Sequence, residues 1–339
     1  MINTSIGMLG VAMQDGKTPA TKPKIKHGLT GGGLVKPERG IEQKPVACGM
    51  RANAANGAYV SEVNMGIDFN TLAYADSLPL YAAAAMGNIV STPDTETSGE
   101  GYHKHVITLG SALPLLTFWG QIGDTSQQTV HKVDGCKVDV LSLSFEGNAP
   151  VEIGVTAAGI DATLFQTWGE VVQPSCFDGY FIPTGGEFTI DTATNVPTEA
   201  IVTKGNFELS NAIEPKRGAG QVVPKLLSEG KLTTKLAVTV VPEDFALMRK
   251  ALTGSDSGTK VSSKIVRGST KWKFTHTDDP KCSLEVEFKN VPWNFSMPEV
   301  NPEGGSAEVE FSADDIGIAS SDGTPVTITV INKVERYNA

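Results

Sequence analysis

Two pairs of glutamates, Glu285/Glu287 and Glu308/Glu310, stand two residues apart on stretches that alternate with apolar residues. On a strand that spacing sends both carboxylates to one face, and facing carboxylates are what a glycosidase uses as acid and nucleophile or base. Such a site also presents a cleft and aromatic platforms. Aromatics here are only 7% of the chain and are scattered, so both pairs read better as a solvated acidic sheet face. His103 and His105 alternate in the same way and could offer two imidazoles to a metal. No third ligand is near them in sequence, and a solvated strand face accounts for them. Asp278-Asp279-Pro280 and Asp314-Asp315 lack the spacing of a calcium loop and read as turns. Gly31–Gly33 is followed by Leu34-Val35-Lys36-Pro37, and Pro37 spoils the geometry of a phosphate loop, so the run reads as a flexible hinge. Gly254-Ser255-Asp256-Ser257-Gly258 has the outline of a nucleophile elbow, but with Asp256 at its centre, and it follows a helix; it reads as a plain loop. Cys48, Cys136, Cys176 and Cys282 are far apart and form no Cys-x-x-Cys pair, which argues against zinc and against a disulfide framework. They read as reduced, which suits synthesis in a cytosol. No catalytic residue, cofactor or metal is expected. The chain reads as a building block and not an enzyme.

The elements around these residues repeat. A polar-alternating strand (59–69) runs into a helix (78–86), a Gly-rich gap and another strand (102–109). The same order returns as a strand over 231–241, a helix over 243–252, a gap, and a strand from 260. Asp76 or Ser77 caps the first helix, Pro79 lies in its first turn, the Ala82–Ala85 run favours it and Gly87 stops it. The second helix places Phe245, Met248 and Leu252 on one stripe. Further strands are expected at 115–119, 136–145, 151–157, 201–209, 261–275, 282–289, 307–312 and 325–332. In Ser283–Lys289 the apolar Leu284, Val286 and Phe288 oppose Ser283, Glu285 and Glu287, the pattern of a sheet with one wet face. The fold class is therefore mainly β, with β-barrel or sandwich units, short flanking helices and internal duplication. The expected division is a basic arm (1–50), a first β unit (51–165), a connector (166–200) and a second β unit (201–339).

Charge is uneven along the chain. The net charge is −10, which argues against a nucleic-acid binder that grips phosphates. Residues 1–50 hold Lys17, Lys22, Lys24, Lys26, Lys36, Arg39 and Lys44 against Asp15, Glu38 and Glu42, so a basic arm precedes an acidic body. With few apolar residues of its own, the arm is expected to lie on a neighbouring subunit, through Lys22, Lys24, Lys26, Lys36 and Arg39. Met1–Met13 lacks the features of a secretory signal, and no apolar run approaches the roughly 20 residues that span a bilayer. No membrane anchor is expected.

The order of elements resembles the tail tube proteins (major tail proteins) of long non-contractile-tailed bacteriophages. Asn64–Phe69, Asp76-Ser77-Leu78-Pro79-Leu80-Tyr81 into Ala82–Gly87, Tyr102–Thr108 and Leu113–Thr117 carry the likeness. Gly135–Leu141, the turn to Pro150–Ile153, Val238–Leu252 and Ala307–Val330 continue it. The resemblance covers most of 40–335 and leaves out the arm at 1–40. It implies that six copies, or three duplicated chains with pseudo-sixfold symmetry, close into a ring, and that rings stack into a hollow tube. The tube would surround a tape-measure protein, meet tail terminator and baseplate proteins, belong to the virion after assembly in the host cytoplasm, and let DNA pass without binding it. Sheets with one wet face need covered edges, which ring closure supplies. An acidic lumen would keep DNA moving, and Glu285, Glu287, Glu308 and Glu310 are the candidates to line it. The rival readings are a capsid decoration or baseplate protein, which would form discrete oligomers, and a carbohydrate-binding or carbohydrate-cleaving module, which would bind sugar in an aromatic groove.

Overall fold

A computed structural model describes residues 7–33, 36–44, 58–95, 99–123, 130–166, 179–192, 198–199, 201–299, 305–317 and 323–337. The chain opens with β1 (Gly7–Met13), β2 (Ile25–His27), β3 (Gly31–Gly32) and β4 (Lys36–Gln43). The first pass of the repeat follows as β5 (Ala58–Leu72), the helix α1 (Leu78–Met86), β6 (Gly87–Pro93) and β7 (His103–Leu109). Next come β8 (Leu116–Ile122), β9 (Val130–Glu146), β10 (Glu152–Gly159), β11 (Asp161–Gln166), β12 (Phe181–Asp191) and β13 (Thr198–Glu199). After β14 (Ile201–Ser210), β15 (Glu214–Lys216) and β16 (Leu226–Ser228), the second pass is β17 (Thr233–Val241), the helix α2 (Ala246–Thr253), β18 (Gly268–His276) and β19 (Ser283–Val291). The described chain closes with β20 (Asn294–Phe295), β21 (Val309–Asp314) and β22 (Val326–Asn332).

Mainly β is what the sequence predicts and what forms. Thirteen strands make one long sheet and seven make a second, with β15 and β16 a separate small ribbon. The long sheet runs β2-β1-β8-β9-β14-β17-β21-β20, and β10, β5, β4 and β3 branch from β9. The second sheet runs β13-β12-β18-β19-β22-β7-β6. Among the described residues neither sheet closes on itself as a barrel. Both passes of the repeat make the same crossing: a long-sheet strand (β5 or β17), a helix, then strands of the second sheet (β6 and β7, or β18 and β19) that end on either side of β22. Residues of both passes thus build both sheets.

The two sheets meet through an aromatic layer. Phe145 of β9 faces Trp272 and Phe274 of β18 and Phe188 of β12, with ring centroids 5.1–5.2 Å apart. Phe207 of β14 meets Phe288 of β19 at 5.0 Å. Burying each such ring stabilises the fold by about 1.5–3 kcal/mol. Gly205 makes room for the layer, since a Cβ there would stand 2.3 Å from the Phe145 ring.

The two helices differ. Every residue of α1 is buried, consistent with a helix apolar all round and packed between β9, β6 and β7. Gly87 ends it at φ 94°, donating its N–H to the Ala83 carbonyl, as the sequence predicts. In α2 only Leu247, Met248 and Lys250 are buried. The expected stripe is shifted there. The helix begins at Ala246, whose N–H is accepted by Asp244 Oδ1 at 2.7 Å, and this leaves Phe245 outside it and 57% exposed.

Three other expectations need correction. The strand expected over 261–275 begins only at Gly268, because its partners β12 and β19 pair with it no further than Asp191 and Val291. Gly31–Gly33 is not a hinge: Gly31 and Gly32 pair with Asn70 and Phe69, and a Cβ on Gly32 would lie 2.2 Å from the Asp68 carbonyl oxygen. The glycines permit a close backbone approach. Residues 7–13 of the expected arm do not lie apart from the subunit either. They form β1, paired to β8 along its whole length, with Leu9 and Val11 fully buried. The short apolar run Met8–Met13 supplies the core contacts that the Lys-rich stretch after it lacks.

Candidate functional site

Among the described residues no catalytic constellation gathers, and the candidate functional surfaces are the outward faces of the two sheets. On the long sheet, alternation turns Leu141, Leu143 and Phe145 inward and leaves Ser142, Ser144 and Glu146 outward. The ladder carries this across the strands. Ser312, Ala237, Asn206, Ser144 and Glu152 form one row, and Asp314, Lys235, Glu208, Ser142, Gly154 and Asn70 the next. The outer rows hold Glu310, Thr239, Lys204 and Glu146 on one side and Thr156 and Asp68 on the other. The middle of the face is therefore small and polar. Around it stand six carboxylates (Asp68, Glu146, Glu152, Glu208, Glu310, Asp314) and three lysines (Lys137, Lys204, Lys235). Each lysine is already engaged, with Glu229, Glu146 and Glu208 at 2.6, 3.5 and 3.3 Å. The face projects a net negative field.

The outward face of the seven-stranded sheet is balanced. Glu187, Glu285 and Glu287 share it with Lys104, Lys271, Lys273 and Lys289. Lys271 pairs with Glu285 at 2.9 Å, and Lys273 with Glu187 and Lys289 with Glu287 at 3.5 Å each. Thr327 and Thr329 of β22 stand opposite Glu287 and Glu285.

The structure thus brings Glu285 and Glu287 together, and places Glu310 on the other sheet with the exposed Glu308 just before its strand. Because the sheets pack through their inner faces, the two pairs point away from each other. The additional carboxylates of the long face, Glu146, Glu152 and Glu208, were within reach of sequence reasoning: each alternates with buried neighbours, as in Glu152-Ile153-Gly154-Val155. What a single strand does not reveal is which strands become neighbours.

Of the basic candidates, Lys24 donates to the Arg336 carbonyl at 2.9 Å within the same subunit. Lys26 is buried to 2% exposure, burial lowers its pKa, and Lys22 is engaged in the subunit as well. Arg39 is exposed on β4, the strand that Lys36 opens.

Five further titratable groups are tied into the fold by burial or hydrogen bonds. His105 is buried, not solvated as expected, because β7 turns it inward beneath the C-terminal segment. It hydrogen-bonds Ser91 Oγ at 2.8 Å and Asn332 Oδ1 at 3.0 Å, and its ring meets Tyr337 edge-on. Asp279 accepts from Tyr102 and Lys333 at 2.8 and 2.7 Å, and its hydrogen bonds, that of Lys333 first, bring its pKa down to about 2. His27 is fully buried: its ring bonds the Gly28 carbonyl through Nδ1 and the Tyr81 hydroxyl through Nε2, and desolvation lowers its pKa to about 4. Cys136 and Cys282 are free and buried thiols whose pKa burial raises; Cys48 and Cys176 lie outside the described residues. Among the described residues no group of three or more His, Cys, Asp or Glu could hold a metal, and no helix is long and apolar enough to cross a membrane.

Comparison with known proteins gives a specific result. A family model described as a phage tail tube protein matches residues 8–314 of the chain. None of the curated proteins matches it.

Proposed function

The chain belongs to the phage tail tube protein family and is a structural component of the virion tail, and from that membership we propose that it is the subunit of a non-contractile tail tube that closes into rings, stacks them and conducts DNA into the host. The observation that carries the conduit reading is the outward face of the long sheet, small and polar in its middle and acidic around it. A conduit must not grip its cargo. Each lysine or arginine that meets a phosphate adds affinity and salt dependence, whereas carboxylates repel the backbone over a Debye length of about 8–10 Å. We assign this face to the lumen, with Glu310 and the adjacent Glu308 among its charges. The lysine-matched face bearing Glu285 and Glu287 is then free to look outward. That both passes of the repeat share one pair of sheets favours six chains per ring over three. In this reading the tube is built in the host cytoplasm around a tape-measure protein, and its ends meet terminator and baseplate proteins.

The test is assembly. Purified protein at high concentration should form rings and hollow tubes by sedimentation and negative-stain microscopy. A strictly monomeric species, even with tail-assembly partners present, would overturn the reading.

A further inference from the structure

The surface that the sheets leave unexplained is a two-stranded ribbon. Strand β5 is 15 residues long, but its pairing with β10 ends at Met65. Among the described residues Ala58–Asn64 therefore run on past the sheet with β4 as their one paired strand. At the far part of this ribbon Ile41 and Val60 stand directly opposite each other, 69% and 38% exposed. The other side of the ribbon bears Glu38, Glu42 and Glu62, with Tyr59 donating to Glu42 at 2.8 Å. The ribbon is braced at its base. Arg217 pairs with Glu62 at 3.3 Å, donates to Asn64 Oδ1, and donates from Nε to the Val222 carbonyl at 3.1 Å, which also accepts the Val63 N–H at 2.8 Å. An apolar pair and a row of carboxylates are thus held out from the body in a fixed direction.

A complementary surface lies across the molecule. The loop Ser257–Arg267 carries Lys260, Lys264 and Arg267 and no carboxylate. It also exposes Val261 and Ile265, at 73% each. The loop is pinned by the Ser262 N–H to the Leu252 carbonyl at 2.8 Å and by Arg267 Nη1 to the Asn290 carbonyl at 3.0 Å. Arg267 Nη1 also lies 3.7 Å from where a Cβ on Gly317 would sit, just beyond the end of β21. The strand order β4-β5-β10-β9-β14-β17-β21-β20 puts the ribbon at one edge of the long sheet, and Arg267 beside Gly317 sets the foot of the loop near β21, toward the other edge. The register puts both toward the same end of the strands, because Asp314 shares a row with Asn70. Opposite charge, exposed apolar residues on both and opposite edges at one level are the requirements for a head-to-tail contact that repeats around a closed ring.

We propose that the β4–β5 ribbon of one copy docks on the Ser257–Arg267 loop of the next copy in the ring, with its carboxylate-bearing side against Lys260 and Lys264. This contact rests on the tube reading and names the residues that close the ring.

Charge reversal tests it. Glu38→Lys with Glu42→Lys on the ribbon, and Lys260→Glu with Lys264→Glu on the loop, alter exposed side chains, and thermal melting of the dissociated subunits should confirm that the fold is kept. Each double variant should raise the concentration needed for ring formation about tenfold, and the four changes together should restore it to within about threefold of the original. If either double variant assembles at the original concentration, or if the combined variant is worse than both, the contact is wrong while the tube reading stands. If the unaltered protein forms no rings at any concentration, both fall.

Discussion

The two outward faces are made by the same rule and end with different fields. On each, alternation buries the apolar residues and leaves polar ones in water. On the outward face of the seven-stranded sheet Glu187, Glu285 and Glu287 each meet a lysine, the first two across strands and Glu287 on its own strand, so their charge is matched within the sheet by pairs contributing about 0.2–1 kcal/mol each. On the long sheet Glu310 stands opposite Thr239 and Glu152 opposite Ser144 and Leu72, so their charge is left to act on whatever comes near. Alternation identifies a wet face; register across strands decides what that face does to a polyanion.

The comparison holds only if both faces belong to one cooperative body, and the layer between them provides the largest expected effect. Phe145 touches three rings of the opposite sheet. Phe145→Ala should destabilise the subunit by about 3–5 kcal/mol. Denaturant unfolding followed separately by tryptophan fluorescence and by far-ultraviolet dichroism should still give coincident transitions. Two separated transitions would mean that the faces report on independent units.

Acid tests the stability of the core beneath the faces. His27 is buried with a pKa of about 4, below the ordinary 6.5 of an exposed imidazole. The unfolded chain therefore binds the proton more readily between these values. Its contribution, about 3 kcal/mol, is complete above pH 6.5 and is lost as pH falls from there through 4. His27→Gln should flatten the dependence of melting temperature on pH between 6.5 and 4, whatever its overall cost. An unchanged slope would show that another group carries the acid response.

The fields themselves are tested by reversal. Glu146, Glu152 and Glu310 changed together to Lys should leave assembled tubes intact, slow DNA ejection about tenfold at low salt, and make the rate depend on salt as new phosphate contacts form. The same reversal at Glu285 and Glu287 should leave ejection unchanged. Equal slowing by both sets would mean that the long face does not line the bore alone.

How far this was legible in the sequence depends on what each feature needs. The mainly β class, α1 with its Gly87 stop, and the wet faces follow from local period and turn chemistry, which a single segment carries. Neighbour relations do not. Nothing in Ser283–Lys289 says that β18 will lay Lys271 beside Glu285, so the pair reads as acidic when Lys271 and Lys289 match it. Residues 7–13 read as part of an arm because the lysines after them dominate the composition, while the six-residue apolar run that pairs with β8 is too short to stand out. The strand expected from 261 takes in Val261 and Ile265, yet without a partner strand they remain exposed on a loop.

The smallest effect is the most discriminating for the matched face. Glu285 pairs with Lys271 at 2.9 Å, and both side chains are partly exposed. Solvent screens such a pair, so its worth should be about 0.2–1 kcal/mol and should shrink as salt is added. Glu285→Gln keeps the shape and the apolar contacts of the side chain and removes the charge. It also leaves Lys271 unmatched, which makes the face more positive. If this face looks outward, the variant should lose only that small increment of stability, measured by denaturant midpoint at two salt concentrations, and should eject DNA at the original rate. If the face instead lined the bore, one unmatched lysine per subunit would repeat around every ring and along the whole tube, and ejection would slow although stability hardly moved. A stability change of this size without an ejection defect therefore assigns the matched face to the outside, and an ejection defect without one assigns it to the bore.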